Sequence, residues 1–202
     1  MNPQIALTQR VASPAGTELS SAARRFQHPL VSTNGLLIDQ AVALACCFAD
    51  APAGAYAANY AAQIGPHLRH VIEHLDALLA GLKHGEVDYD RRPRDTALER
   101  HPGLAAQRLR LLRHALDGLT PPQLALPLTV HGQTGLAGEW GFASASSLGR
   151  ELAFMASHTV HHFALLRAHC VQLGLPVPED FGKAPATVAH ARRPRQQAAQ
   201  LS

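Results

Sequence analysis

Two histidines four residues apart, His158 and His162, stand inside an apolar run that extends from Leu148 to Leu173. On a helix that spacing places two imidazoles one turn apart on the same face, where both can reach one metal ion. Far upstream, three more recur in His67-Leu68-Arg69-His70-Val71-Ile72-Glu73-His74. Helical proteins often assemble a metal centre from side chains on facing helices. A buried imidazole needs a hydrogen-bond or metal partner, so a pair on a core stripe costs stability unless something binds it. His158 and His162 differ by about 40° around an ideal helix axis, whereas His161 points about 100° away from His162 and is not expected to join them. On the upstream helix, His67, His70 and His74 fall within about 60° of one another. Ideal angles put His67 and His74 nearer the apolar stripe than His70. Three neutral imidazoles leave open positions on a divalent ion for water or substrate, the pattern of a catalytic rather than a closed structural site. Imidazole ligation suits Zn, Ni, Fe or Cu.

The elements that must hold these residues are expected to be helices. Aromatic residues make up 5% of the chain, and Ala and Leu dominate, a balance that favours helix over strand. A first helix is expected over residues 33–48, with Leu36, Leu37, Ala41, Leu44 and Ala45 at helical spacing. A second starts at 56 or 64 and runs to 83 on the stripe Ile64, Leu68, Val71, Leu75, Leu78, Leu82. A charged connection over 85–95 follows, then a third helix over 102–119 stopped by Pro121-Pro122. Runs at 124–130 and 136–142 read as a β-hairpin. The last helix starts from cap candidates Ser144 to Ser147 and ends at Leu173, before Gly174 and Pro176. The expected fold is all-α: an antiparallel four-helix bundle with a small β-hairpin before the last helix. It occupies 29–187, between an irregular segment over 1–28 and an Ala/Gln/Arg-rich tail over 188–202 expected to be disordered.

Over most of the chain, roughly 30–187, the sequence resembles the DinB-like (YfiT-like) metal-binding four-helix bundles. The resemblance is carried by Ile64-Gly65-Pro66-His67-Leu68-Arg69-His70 and Ser157-His158-Thr159-Val160-His161-His162. It implies a metal triad of one histidine from the second helix and the H-x-x-x-H pair from the last: His70, His158 and His162, with His67 or His74 as replacements for His70. It further implies a metal-dependent thiol S-transferase or hydrolase acting on a small-molecule substrate, with a divalent ion (Zn, Ni or Fe) and a low-molecular-weight thiol as cofactors. The alternative is a non-catalytic, stress-associated metal-binding bundle that forms a homodimer.

Other features bound the reading. The pI is near 9.0, but the basic residues lie in short clusters without interleaved aromatics, so no nucleic-acid partner is expected. No uncharged apolar stretch is expected to reach membrane-spanning length, and residues 1–16 lack an apolar signal core. Adjacent Cys46 and Cys47, with Cys170, suggest no disulfide framework and a reducing, cytoplasmic setting. Asp180-Phe181-Gly182 lacks the loops that would make it a kinase motif. Thr159 stands where a zinc protease helix would carry glutamate. Glu73 could orient a ligand imidazole or be a solvated surface charge. Asp88, Tyr89, Asp90, Arg91, Arg94 and Asp95 could bind an anionic substrate or form a salt-bridged connector. Trp140 either lines a pocket mouth or anchors the hairpin.

Overall fold

The computed structural model describes residues 27–51 and 56–200. The irregular N-terminal segment expected over 1–28 lies almost wholly outside them. Helix α1 (Pro29–Ala49) opens with proline in its first turn, and the His28 ring nitrogen accepts from Leu30 N at 3.2 Å. Proline is tolerated there because its missing N–H would have no helical partner. By length and composition alone α1 could cross a membrane, although Asp39 interrupts its apolar run. Here its Val31, Ile38, Ala41 and Ala45 are buried, and the helix packs on the fifth and sixth helices described below.

A short turn, α2 (Ala57–Asn59), runs through a π-helical stretch (Tyr60–Ile64) into α3 (Gly65–Gly81). The π stretch inserts extra chain into the helical ladder, so it resets which residues of α3 face the core. Tyr60 is fully buried and donates its hydroxyl to Leu98 O at 3.1 Å. Gly65 is required by a close approach: a Cβ there would collide with the backbone of Glu99. After Gly85, whose φ is +72°, comes strand β1 (Glu86–Asp88). The left-handed conformation at that position suits glycine. Helices α4 (Thr96–Arg100) and α5 (Pro102–Asp117) follow.

A 3₁₀ turn (Pro121–Ala125) leads to β2 (Pro127–Thr134) and β3 (Trp140–Ser147). These two strands pair antiparallel, from Pro127↔Ser147 to Thr134↔Trp140. β1 joins β2 in parallel, with Val87 opposite Val130. The sheet is therefore three-stranded and mixed, in the order β1-β2-β3. Helix α6 (Leu148–Gln172) starts at Ser147, whose hydroxyl accepts from Arg150 N at 3.3 Å. The last described element is α7 (Pro185–Gln200), a helix over a stretch in which the tail from 188 is expected to be disordered. Phe181 stacks on Phe163 with ring centroids 4.6 Å apart and is buried, so Asp180-Phe181-Gly182 is a packing anchor on α6.

The all-α, antiparallel four-helix bundle is corrected by this architecture. Helices of unequal length pack on one another, a three-stranded mixed sheet lies against α3 and the start of α6, and the charged connection over 85–95 contributes a strand. Apolar stripes identify helices, but they do not report a three-residue strand whose one buried side chain, Val87, sits between Glu86 and Asp88. The hairpin strands also lie further along the chain than expected. Leu124 is buried within the 3₁₀ turn and Leu136 stands exposed at the tip between the strands.

Candidate metal centre

The histidines meet where α3 packs on α6. On α3, Leu68, Val71, Leu75 and Leu78 are buried in the core. This fixes the roll of the helix and turns His67, His70 and His74 toward α6. On α6, Leu152, Met155, Thr159 and Phe163 are buried and do the same for His158 and His162. His161 is exposed, and the one ring it approaches is His162, at 5.5 Å between centroids.

Five imidazoles form a continuous group. Ring centroids lie 4.1 Å apart for His70–His74, 5.0 Å for His70–His158 and 4.6 Å for His74–His158. His162 lies 4.6 Å from His70 and 4.7 Å from His158, with His67 beyond it at 5.1 Å. One nitrogen each from His70, His74 and His158 falls within 4.8 Å of the others. The triad that the resemblance implies is His70, His158 and His162. All three rings adjoin, but His74 stands closer into the group, and the Nδ1 of His162 is 2.8 Å from the Nδ1 of His67.

Hydrogen bonds fix which nitrogens are free. His74 donates its Nδ1 proton to His70 O at 2.7 Å. A carbonyl only accepts, so Nε2 of His74 carries the lone pair. Metal-ligating histidines are commonly oriented by this kind of outer hydrogen bond. His158 stacks on Phe154 at 5.3 Å, and its Nε2 is buried with no hydrogen-bond partner among the described residues. An unpartnered buried nitrogen costs free energy, and a bound ion would remove that cost. His70 differs. Its Nδ1 accepts from Arg92 Nη1 at 2.8 Å, which leaves the ring proton on Nε2 in this arrangement.

Burial, reinforced by neighbouring imidazoles and by Arg92, holds these rings neutral. The His70 pKa is driven down to about 2, His162 to about 3 and His74 to about 4. Burial also lowers His67 and His158. Neutral imidazole is the metal-binding form.

The surrounding groups were only partly legible. Glu73 is 3% exposed, so it is no surface charge. It makes no hydrogen bond to an imidazole among the described residues. Its Oε1 accepts from Asp95 N at 2.7 Å and its Oε2 lies 3.8 Å from Arg92 Nη1, so it reaches His70 only through Arg92. Tyr89 stacks on His74 at 5.4 Å and donates its hydroxyl to Glu151 Oε2 at 2.8 Å. Arg91 and Arg94 line a separate groove over the sheet, with His131 and Phe142. Trp140 is 64% exposed and does not line the histidine group. Sequence reasoning missed Arg92 altogether. Periodicity favours His67 or His74 over His70 without separating the two, whereas the H-L-x-H run of the resemblance points to His70.

The comparisons with known proteins then bear on descent. No family model matches this chain. No solved structure matches it either. A stretch of 107 residues, 53% of the chain, is 31% identical to a protein named FK506-binding protein 5 from Rhizopus delemar. The chain covers 28% of that protein's length. This finding corrects the resemblance read from the sequence: the relative carries an FK506-binding name, not a DinB-like one. The thiol S-transferase or hydrolase assignment and its stress-associated bundle alternative fall with it. The physical reason is plain. H-x-x-x-H and H-L-x-H report that histidines share a helix face, and any two packed helices can present them without common ancestry.

Proposed function

We propose that this protein binds a divalent transition-metal ion in the histidine group between α3 and α6. The observation that carries the reading is the convergence of one nitrogen each from His70, His74 and His158 within 4.8 Å. Further support comes from the free lone pair of His74 and the unpartnered Nε2 of His158. His74 and His158 would hold the ion, with His70, His162 or both completing the set. Imidazole donors suit Zn, Ni or Fe. The ion would supply a Lewis-acidic position, and this chain's residues would orient whatever small molecule approaches it.

Elemental mass spectrometry of the tag-free protein tests the reading. The expected result is close to one ion per chain, lost in His158→Ala and His74→Ala while the helical circular dichroism is retained. Folded protein that stays metal-free after exposure to Zn and Ni overturns it. Comparing His70→Ala with His162→Ala identifies the third ligand.

A second reading comes from the relative's name, that the shared stretch binds FK506. Thermal denaturation in the presence of FK506 checks it. A ligand-dependent rise in Tm supports the reading, and an unchanged melting curve at saturating concentration rejects it.

A further inference from the structure

The strongest unexplained group beside the histidines is Arg92, on the connection between β1 and α4. Its side chain is 10% exposed and its Nη1 touches His70 at 2.8 Å. A guanidinium therefore lies inside the imidazole group. Its Nε donates to Tyr89 O. The carboxylates around it are largely committed elsewhere. Glu73 gives one oxygen to Asp95 N and holds the other at 3.8 Å from Nη1. Glu151 accepts from Tyr89 and from Ser146. Asp90 accepts from Gln133 N at 2.7 Å. The nearby Arg69 pairs with Glu99 at 3.1 Å.

We propose that the centre takes a metal–anion pair, and that Arg92 selects a carboxylate-bearing ligand for the open side of the ion. The inference rests on the metal-binding reading above. Charge is the argument. With the imidazoles neutral, an ion of two positive charges would stand beside Arg92, with Glu73 as the one nearby buried carboxylate not fully engaged. Such a site repels a bare cation and is relieved by an anion. Hydrogen bonding is the second argument. While Arg92 donates to His70 Nδ1, the His70 Nε2 lone pair is unavailable. If His70 joins the ion through Nε2, the guanidinium must release it, and the freed fork matches a carboxylate in two-point geometry. Metal and anion then raise each other's affinity, because binding couplings are reciprocal.

The test titrates Co²⁺ into the full chain, followed by visible absorption, with acetate or its neutral analogue acetamide in the buffer. The wild type is expected to bind Co²⁺ more tightly with acetate and to shift its bands, and to ignore acetamide. Arg92→Gln is expected to bind Co²⁺ at least as tightly without acetate, since a like charge is gone. Its acetate response should fall by about tenfold, the size of one charge-assisted hydrogen bond. Arg92→Lys should recover part of that response. Equal acetate responses in wild type and Arg92→Gln overturn the inference, as does Co²⁺-loaded wild type that ignores acetate. Wild type that takes up no Co²⁺, indistinguishable from His158→Ala, overturns the metal-binding reading itself, and this inference with it.

Discussion

The α1–α5 contact and the α3–α6 contact are both long helix pairings, and they solve burial in opposite ways. Between α1 and α5 the buried side chains are aliphatic, including Ile38, Ala41, Ala45, Ala105, Ala106 and Leu109. Charge stays at the rim, where Arg113 pairs with Asp39 at 3.2 Å and with Asp117. Small residues let those helices approach, and the contact is complete as it stands. Between α3 and α6 the aliphatic packing continues on one side, but the other side holds five imidazoles and the partly buried guanidinium of Arg92. That contact leaves His158 Nε2 and Glu73 Oε2 without hydrogen-bond partners among the described residues. Unpartnered buried polar atoms are rare in well-packed interiors. A ligand belongs at the pairing that is incomplete without one.

Removing a ligand from the incomplete contact should have the largest effect. His158→Ala should take metal content from near one ion per chain to background, measured by elemental analysis, with the helical signal retained. Retained metal would place the ion elsewhere. The matching change at the complete contact is Leu109→Ala, at a position with no exposure. It should lower unfolding free energy by about 2–5 kcal/mol in urea denaturation and leave metal stoichiometry unchanged. Loss of metal in that variant would mean that the two contacts are not independent.

Acidity separates the two contacts as well. Burial holds His70 at about 2, His162 at about 3 and His74 at about 4, all below the ordinary 6.5. In the unfolded chain these rings accept protons first. Metal-free protein should therefore hold its full stability above about pH 6.5 and lose it progressively as the pH falls toward those values. Urea midpoints at pH 7.5 and pH 5 measure this. A flat profile would show that the rings are not desolvated in solution.

Legibility in the sequence follows the same division. Helix α6 is legible through the cap candidates Ser144 to Ser147, a regular apolar stripe and Gly174 beyond its end, which bracket the observed Leu148–Gln172. The face shared by His158 and His162 was legible from the same periodicity. What was not legible depends on chain segments meeting at long range. Val87 is one buried residue between two acids, and only its pairing with β2 makes it a strand. That pairing also brings the following connection over α3, which is why Arg92 reaches His70 while Arg91 and Arg94 do not. Helix angles bring both His67 and His74 nearer the apolar stripe than His70, and only the packing of α3 on α6 separates them.

The smallest expected effects test the rim and the outer face. The Arg113 pairs are partly exposed, so Arg113→Ala should change stability by no more than about 1 kcal/mol. His161→Ala should change nothing measurable in metal content. His161 sits one residue before His162 on α6, yet it is exposed and its ring contact with the group is to His162. Helix geometry separates adjacent side chains by about 100°, so sequence proximity to a ligand does not bring a side chain to the ion. Equal metal loss in His161→Ala and His158→Ala would show that α6 is rotated from this arrangement, and the convergence of His74 and His158 would lose its basis.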